Sequence, residues 1–195
     1  MKSLRKFIVN IPKKFNDTVK LGDEEIYIET KFNEFEHRVM EGEVIALPAK
    51  YETPVKEGDT LYFHHHVVLQ GGTPLPGMED YYMVLYSPDS AIDSQAFAYK
   101  CKDTGKIGAL SSWCLLEPVE EDFGLKSDII EIVKTEKENP TQGKVTHTCS
   151  SCEDLGVEVG DTVGIGKNRD YLIKIDGKEY YRTRAEDFLY VITEE

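Results

Sequence analysis

The chain of 195 residues is 40% hydrophobic, which is enough apolar content for packed cores and excludes global disorder. Its formal net charge of −13 argues against a nucleic-acid partner, because nucleic-acid modules need clustered lysine and arginine. The length fits one large domain or two small ones.

The first predicted strand covers residues 7–11 and ends at Pro12, which lacks a backbone donor. Its apolar run is too short for a signal peptide, and no other run approaches a membrane span. We therefore predict a cytoplasmic protein with no membrane contact. In a reducing compartment its four cysteines are expected to be free thiols: Cys101, Cys114, Cys149 and Cys152.

A long charged segment, residues 13–41, follows the first strand. It contains one apolar island, Ile26, Tyr27 and Ile28, flanked by glutamates. Long polar loops in compact domains are mostly functional or mobile, and we predict such a loop here. The alternative is that the island is a buried strand.

The rest of the first half is predicted to be β-rich. Strands are expected at residues 43–47, 60–63 and 81–86, and a β-hairpin at residues 97–110. The run His64-His65-His66 follows the second of these strands. Because adjacent residues on a strand point to opposite faces, we predict no metal site at the three histidines.

The second half repeats the order of the first. A strand at residues 113–119 is followed by a second charged segment, residues 120–142, and the chain ends in an apolar closing strand at residues 186–192. The second charged segment also contains an apolar island, which includes Ile129, Ile130 and Ile132. Its longer apolar run leaves burial open as an alternative.

The strongest sign of repetition is a Gly-Asp turn that occurs twice, at Gly58-Asp59 and at Gly160-Asp161. Glycine supplies the turn conformation, and the aspartate can bond the backbone beyond it. Gly42 and Gly143 precede the two turns at nearly the same spacing. We therefore predict two versions of one β-rich unit, residues 1–112 and 113–195, with the hairpin at 97–110 lacking a counterpart in the second.

The order of these features resembles the GroES family of co-chaperonins. The motifs that carry the resemblance are Gly42-Glu43-Val44-Ile45-Ala46, Val157-Glu158-Val159-Gly160-Asp161 and Asp187-Phe188-Leu189-Tyr190-Val191. The resemblance implies an all-β fold of two tandem irregular GroES-like β-barrels with an extra β-hairpin between them. The tandem arrangement is similar to that of chloroplast co-chaperonins, and the short connections at residues 48–53 and 149–156 are similar to phage-encoded ones.

The resemblance also implies a function. The chain would be a non-enzymatic lid, without catalytic residues, cofactor or metal, that forms a ring-shaped homo-oligomer and caps a large GroEL-like chaperonin ring. Unfolded client proteins would fold in the closed chamber while the partner hydrolyses ATP. In this family the loop after the first strand is mobile and binds the chaperonin through an apolar tripeptide. By position the implied contacts are Ile26, Tyr27 and Ile28 in the first unit, and Ile129, Ile130 and Ile132 in the second.

Two alternatives from other functional classes remain. Cys149 and Cys152 have the spacing of a zinc or redox pair, with His147 close in sequence, but there is no second CxxC and no βαβ context. A phage structural or adaptor protein that binds partners through its sheet edges is the other alternative.

Overall fold

The structure is a computed structural model, and two compact units divide the chain, Met1–Ser111 and Ser112–Glu195. It describes residues 2–29, 37–68, 73–119, 141–169 and 171–192. Its described residues are almost entirely in strands, turns and connections, which confirms the predicted all-β fold class. None of the described helices is both long enough and apolar enough to cross a membrane.

Unit 1 is built around one large sheet and one small one. Its strands are β1 (Lys6–Asn10), β2 (Thr18–Leu21), β3 (Glu24–Tyr27), β4 (Glu41–Ala46), β5 (Thr60–Phe63), β6 (Thr73–Leu75), β7 (Met78–Leu85), β8 (Ala96–Lys100) and β9 (Ile107–Ala109). The large sheet has the order β6-β7-β1-β4-β5-β8-β9, and β2 pairs with β3 alone. A 3₁₀ turn, His65–Val67, follows β5. The core of unit 1 contains Phe7, Val44, Leu61 and Phe63, together with residues from the connections such as Val55 and Val67.

Unit 2 contains one sheet and one short helix within its described residues. Its elements are β10 (Trp113–Pro118), β11 (Thr141–His147), α1 (Ser150–Asp154), β12 (Thr162–Ile165), β13 (Tyr171–Ile175), β14 (Lys178–Arg184), a 3₁₀ turn (Ala185–Asp187) and β15 (Phe188–Ile192). The sheet order is β13-β14-β10-β11-β12-β15. Its core contains Cys114, Leu116, Val145, Cys152, Val163 and Ile165.

The two sheet orders correspond strand for strand. β6-β7-β1-β4-β5-β8 in unit 1 matches β13-β14-β10-β11-β12-β15 in unit 2, so the tandem repeat extends to strand pairing. The central pairs carry the same irregularity, since β1 slips in register against β4 between Ile8 and Val9, and β10 against β11 between Leu115 and Leu116. β8 and β9 form the predicted hairpin, but β8 also pairs with β5 as β15 pairs with β12. Of the strands in the large sheet of unit 1, β9 is therefore the one without a counterpart among the described residues of unit 2.

The Gly-Asp turn of unit 1 connects to β4 through backbone hydrogen bonds. Val44 N–H donates to Asp59 O over 2.9 Å, and Gly58 N–H donates to Val44 O over 2.8 Å. Gly58 has a φ of 87°, which glycine adopts without strain. The buried Asp59 carboxylate accepts from Lys56 N–H at 2.8 Å and from Lys102 N–H at 2.9 Å.

The turn of unit 2 repeats this arrangement. Val145 N–H donates to Asp161 O over 2.8 Å, and Gly160 N–H donates to Val145 O over 2.9 Å. The Asp161 carboxylate accepts from Glu158 N–H at 2.9 Å. The repeated motif thus has the same structural role in both units. It holds the turn that precedes β5 against β4, and the turn that precedes β12 against β11.

The two turns differ in one respect: the Asp59 carboxylate accepts from two backbone N–H groups, whereas the Asp161 carboxylate accepts from one among the described residues. We therefore expect the same substitution to cost more stability at Asp59 than at Asp161. We expect Asp59→Ala to lower the free energy of unfolding by roughly 2 to 4 kcal/mol, since it leaves two backbone N–H groups without their acceptor, and Asp161→Ala by about 1 to 2 kcal/mol. Urea denaturation of both variants beside the parent chain measures this. Asp59→Asn, which keeps one acceptor oxygen, should fall between the parent and Asp59→Ala. A larger loss in Asp161→Ala than in Asp59→Ala would contradict the assignment.

Candidate functional site

The first predicted binding segment forms a hairpin of its own. β2 and β3 pair in register, with Thr18 opposite Tyr27 and Leu21 opposite Glu24, and Gly22 turns the chain between them with a φ of 66°. This two-stranded sheet is not joined to the large sheet of unit 1. We call residues 18–27 the arm.

The arm is attached to unit 1 at its base. Asn16 N–H donates to His37 O over 2.6 Å, and Val39 N–H donates to Lys14 O over 3.1 Å. Between them Phe15 and Arg38 form an isolated antiparallel bridge. The two chain segments leading to and from the arm therefore run side by side at its base.

Polar side chains support one side of the hairpin. Lys13 Nζ lies 2.7 Å from the Asp17 carboxylate and 3.1 Å from Thr18 Oγ1. Thr18 Oγ1 in turn donates to Glu25 Oε1 over 2.7 Å, across the two strands. The hydrogen bond from Lys13 holds the pKa of Asp17 below its ordinary value. These are solvent-exposed contacts, so each contributes little stability and their effect is mainly to orient the hairpin.

The apolar side chains of the arm are exposed. Tyr27 is 70% and Ile26 46% exposed, and Ile28 after the strand is half-buried. The alternative of a buried strand therefore fails for Ile26 and Tyr27, which do form a strand but lie outside the core. Leu21 is also 67% exposed, and alternation along paired strands puts it on the same face as Ile26. Sequence reasoning missed Leu21, because it stands apart from the isoleucine island.

The second predicted binding segment lies outside the described residues. This covers Ile129, Ile130 and Ile132 together with the charged sequence around them. Their proposed contact stays a prediction from the resemblance.

The three histidines contradict the geometric argument made from sequence. They do not continue β5; His64 precedes the 3₁₀ turn, and its Nδ1 accepts from His66 N–H at 3.2 Å. The tight turn brings the rings together, with centroids 4.2 Å apart for His64 and His65 and 4.5 Å apart for His64 and His66. One ring nitrogen from each lies within 4.8 Å of the others. The expectation that the three side chains diverge was therefore wrong.

A second cluster joins the CxxC pair to a distant cysteine. Cys114 Sγ lies 3.1 Å from Cys152 Sγ and 3.5 Å from Cys149 Sγ, and the last two sulfurs are 3.9 Å apart. Hydrogen bonds from the neighbouring thiols lower the pKa of Cys149. The hydrogen bond to Cys149, followed by the one to Cys152 and by burial, raises the pKa of Cys114. Cys114 was missed as a member of this cluster, because only strand pairing brings β10 to the CxxC segment.

Comparison of the sequence with known proteins identifies a family. Residues 106–192 match the family model described as the chaperonin 10 Kd subunit. The chain is 36% identical over 94 residues to a "Co-chaperonin GroES" of Desulfosudis oleivorans, covering 98% of that relative and 45% of this chain. The chain belongs to the chaperonin 10 family. A "Co-chaperonin GroES" of Desulfatibacillum aliphaticivorans is 33% identical over 94 residues, with the same coverage.

The chaperonin 10 match falls mainly on unit 2, which it covers from the start of β10 to the end of β15. Unit 1 is related to that region by its strand order, its register slip and its Gly-Asp turn. The homology supports a co-chaperonin role for the chain. The arm lies outside the matched residues, so its role rests on position and exposure.

Proposed function

We propose that this chaperonin 10 chain is a co-chaperonin that caps a GroEL-type chaperonin ring and closes its folding chamber around unfolded client proteins. The partner hydrolyses ATP, and the chain itself carries out no reaction. The observation that carries the proposal is the exposed apolar arm on a unit whose strand order repeats that of the matched family region.

The arm suits a groove-binding role on physical grounds. Its exposed residues Leu21, Ile26 and Tyr27 have apolar surface available for burial, worth about 1.5 to 3 kcal/mol for each large side chain that is fully buried. Because β2 and β3 are already paired, less conformational entropy is lost on docking than for an unstructured peptide. The affinity of one arm would still be modest, which favours release.

Several arms held in one assembly convert modest contacts into firm capping. Tethered binding increases overall affinity by roughly 100- to 10,000-fold without a new contact. We propose that the segment at residues 120–142 supplies a second contact through Ile129, Ile130 and Ile132. In this proposal residues 1–112 and 113–195 each form one GroES-like barrel, and each barrel presents one apolar segment.

The last strand, β15, suits contact between copies of the chain. It is an edge strand of the unit 2 sheet, and its residues Leu189, Tyr190, Val191 and Ile192 are exposed. An exposed apolar edge strand is a template for pairing with another chain. We propose that it pairs with a second copy in a ring-shaped homo-oligomer.

Lysines on β15 are expected to dissociate this oligomer. In Leu189→Lys with Val191→Lys, two charges replace exposed apolar side chains on one face of the edge strand, and charged edges resist pairing. Size-exclusion chromatography with light scattering should show the mass of a single chain, and circular dichroism should stay unchanged. Ile92→Lys is the matched control, since Ile92 is 79% exposed but lies in a turn. An assembly that survives the β15 substitutions would contradict the proposed interface.

Complex formation tests the proposed function itself. The full chain is mixed with a purified GroEL-type chaperonin, with and without ATP, and the mixture is separated by size. We expect the chain to elute with the chaperonin only when ATP is present, and to increase the yield of a refolded client protein. Absence of both effects would contradict the co-chaperonin proposal and leave the adaptor alternative.

A further inference from the structure

We propose that Cys114, Cys149 and Cys152 form a zinc site that ties β10 to the segment containing α1. This site goes beyond the co-chaperonin function and does not depend on it. Three thiols from two distant parts of the sequence meet at one point in unit 2. Thiolate sulfur is a preferred ligand of zinc, and the paired spacing of Cys149 and Cys152 is one that zinc sites use.

The distances between the sulfurs fit a shared ion. Tetrahedral zinc with bonds of about 2.3 Å to sulfur holds its ligand sulfurs about 3.8 Å apart. The three separations are 3.1, 3.5 and 3.9 Å, so an ion centred between the sulfurs would lengthen the shortest by about 0.7 Å and change the other two by about 0.3 Å or less. A disulfide would require two sulfurs to approach to about 2.05 Å, a larger movement.

The backbone fixes two of the ligands in a compact knuckle. Cys152 N–H donates to Cys149 O over 3.0 Å, and Val157 N–H donates to Cys152 O over 2.9 Å. The third ligand, Cys114, lies on β10, whose pairing with β11 holds it in place beside the knuckle. The three sulfur positions are thus set by strand pairing and a turn before any ion binds.

The surroundings explain why an ion would stabilise this cluster. Cys114 and Cys152 are completely buried, and both pack in the core beside Val145 and Ala185. A thiol is a weak donor and a weak acceptor, so three thiols facing one another gain little from hydrogen bonding. Zinc replaces these weak contacts with strong bonds and releases the thiol protons to solvent.

One coordination position remains for a small ligand. Among the residues that the structure describes, no histidine, aspartate or glutamate joins the three sulfurs in this group. Cys149 is partly exposed, so solvent reaches one side of the cluster. Three protein ligands with water in the fourth position is an established zinc arrangement.

The test uses the full chain, reduced and freed of metal, and Co²⁺ as a spectroscopic substitute for zinc. We expect one equivalent of Co²⁺ to produce a thiolate-to-cobalt charge-transfer band in the near ultraviolet and visible bands of tetrahedral cobalt. Added Zn²⁺ should remove both. Each of Cys114→Ser, Cys149→Ser and Cys152→Ser should weaken binding by about a hundredfold or more, since losing a ligand costs at least as much as losing its supporting shell.

Two controls separate this site from other ligands. Cys101→Ser removes a cysteine outside the cluster and should leave the bands unchanged. A variant with His64, His65 and His66 replaced by alanine removes the other candidate cluster, and the charge-transfer band should persist. Cys149→Ser is the decisive variant, because its partly exposed side chain is the one whose loss least disturbs the core, and Trp113 fluorescence verifies its fold.

Several results would overturn the proposal. One is the absence of a charge-transfer band in the reduced parent chain. Another is a band that persists in correctly folded Cys149→Ser. A disulfide within the cluster, with no metal bound after its reduction, would overturn it as well. A negative result for the zinc site would not count against the capping of a chaperonin, because metal binding and chaperonin binding are measured separately.

Discussion

The double variant Ile26→Ser with Tyr27→Ser is expected to lose stable capping of a GroEL-type chaperonin while it stays folded. Both side chains are exposed on a hairpin outside the core, so they are free to be buried by a partner. Losing about 1.5 to 3 kcal/mol of burial at each of the two side chains weakens each arm by roughly a hundredfold or more. Because the arms act together, the loss multiplies across the assembly. Binding with ATP, followed by light scattering or surface plasmon resonance, measures it.

The control for this variant is Ile92→Ser, which makes the same change at an exposed isoleucine away from the arm. It should bind the chaperonin like the parent chain. Neither set of substitutions should change the free energy of unfolding by more than about 0.5 kcal/mol per site, the usual range for surface positions. If capping and stability fell together in the arm variant, the arm would belong to the fold rather than to a binding site.

Gly143→Val is expected to unfold unit 2 under conditions in which the parent chain is stable. Gly143 is buried on β11 between β10 and β12, and a Cβ there would lie 2.7 Å from Leu116 Cβ and 3.3 Å from Glu117 O. Leu116 is completely buried and has no room to move. We expect a loss of about 3 kcal/mol or more, the upper range for overpacking. The single tryptophan, Trp113, belongs to unit 2, so its fluorescence reports this transition.

Gly164→Ala provides a comparison on the next strand. A Cβ at Gly164 would meet the ring of Tyr190, which lies opposite on β15 and is partly exposed. That ring can swing into solvent if it gives up the exposed hydrogen bond that its hydroxyl accepts from Gln142 Nε2, so the expected loss is below about 1.5 kcal/mol. Equal losses for Gly143→Val and Gly164→Ala would show that the close approach at Gly143 does not limit the packing of unit 2.

The repeat could be predicted because its signals are local. The Gly-Asp turns require a glycine with positive φ and an acceptor three residues after the donor, so the sequence pattern and the structure coincide at Gly58 and Gly160. Gly42 and Gly143 have a different purpose, because the neighbouring strand of the sheet, β1 or β10, lies too close to each of them for a side chain. Such positions leave a clear sequence signature in both units.

Features that depend on partners distant in sequence were missed. β8 looked like half of an added hairpin, because only its pairing with β5 shows that it corresponds to β15. An apolar closing strand was predicted at β15, yet only Phe188 packs against the core of unit 2, and the side chains from Leu189 to Ile192 are exposed. The strand β6 was not predicted, since Pro74 and the neighbouring glycines dominate the composition of this region.

The candidate sites likewise divide into features with a local sequence signal and features that depend on the folded structure. The island at Ile26 could be located from its glutamate-rich surroundings, but the hairpin that presents it was missed, although Thr18 to Leu21 alternates polar and apolar residues and Gly22 follows as a turn signal. The histidines converge because a 3₁₀ turn replaces the expected strand, and a three-residue turn has no strong sequence signal. Cys114 joins Cys149 and Cys152 only through the pairing of β10 with β11.

Electron microscopy of the chain mixed with a GroEL-type chaperonin and ATP tests the central claim most directly. The account predicts chaperonin rings closed at one or both ends by an assembly of this chain, with density for the arm, Thr18 to Tyr27, against the chaperonin surface. Open rings with the chain left unbound would contradict it. So would capped rings in which the arms point away from the chaperonin.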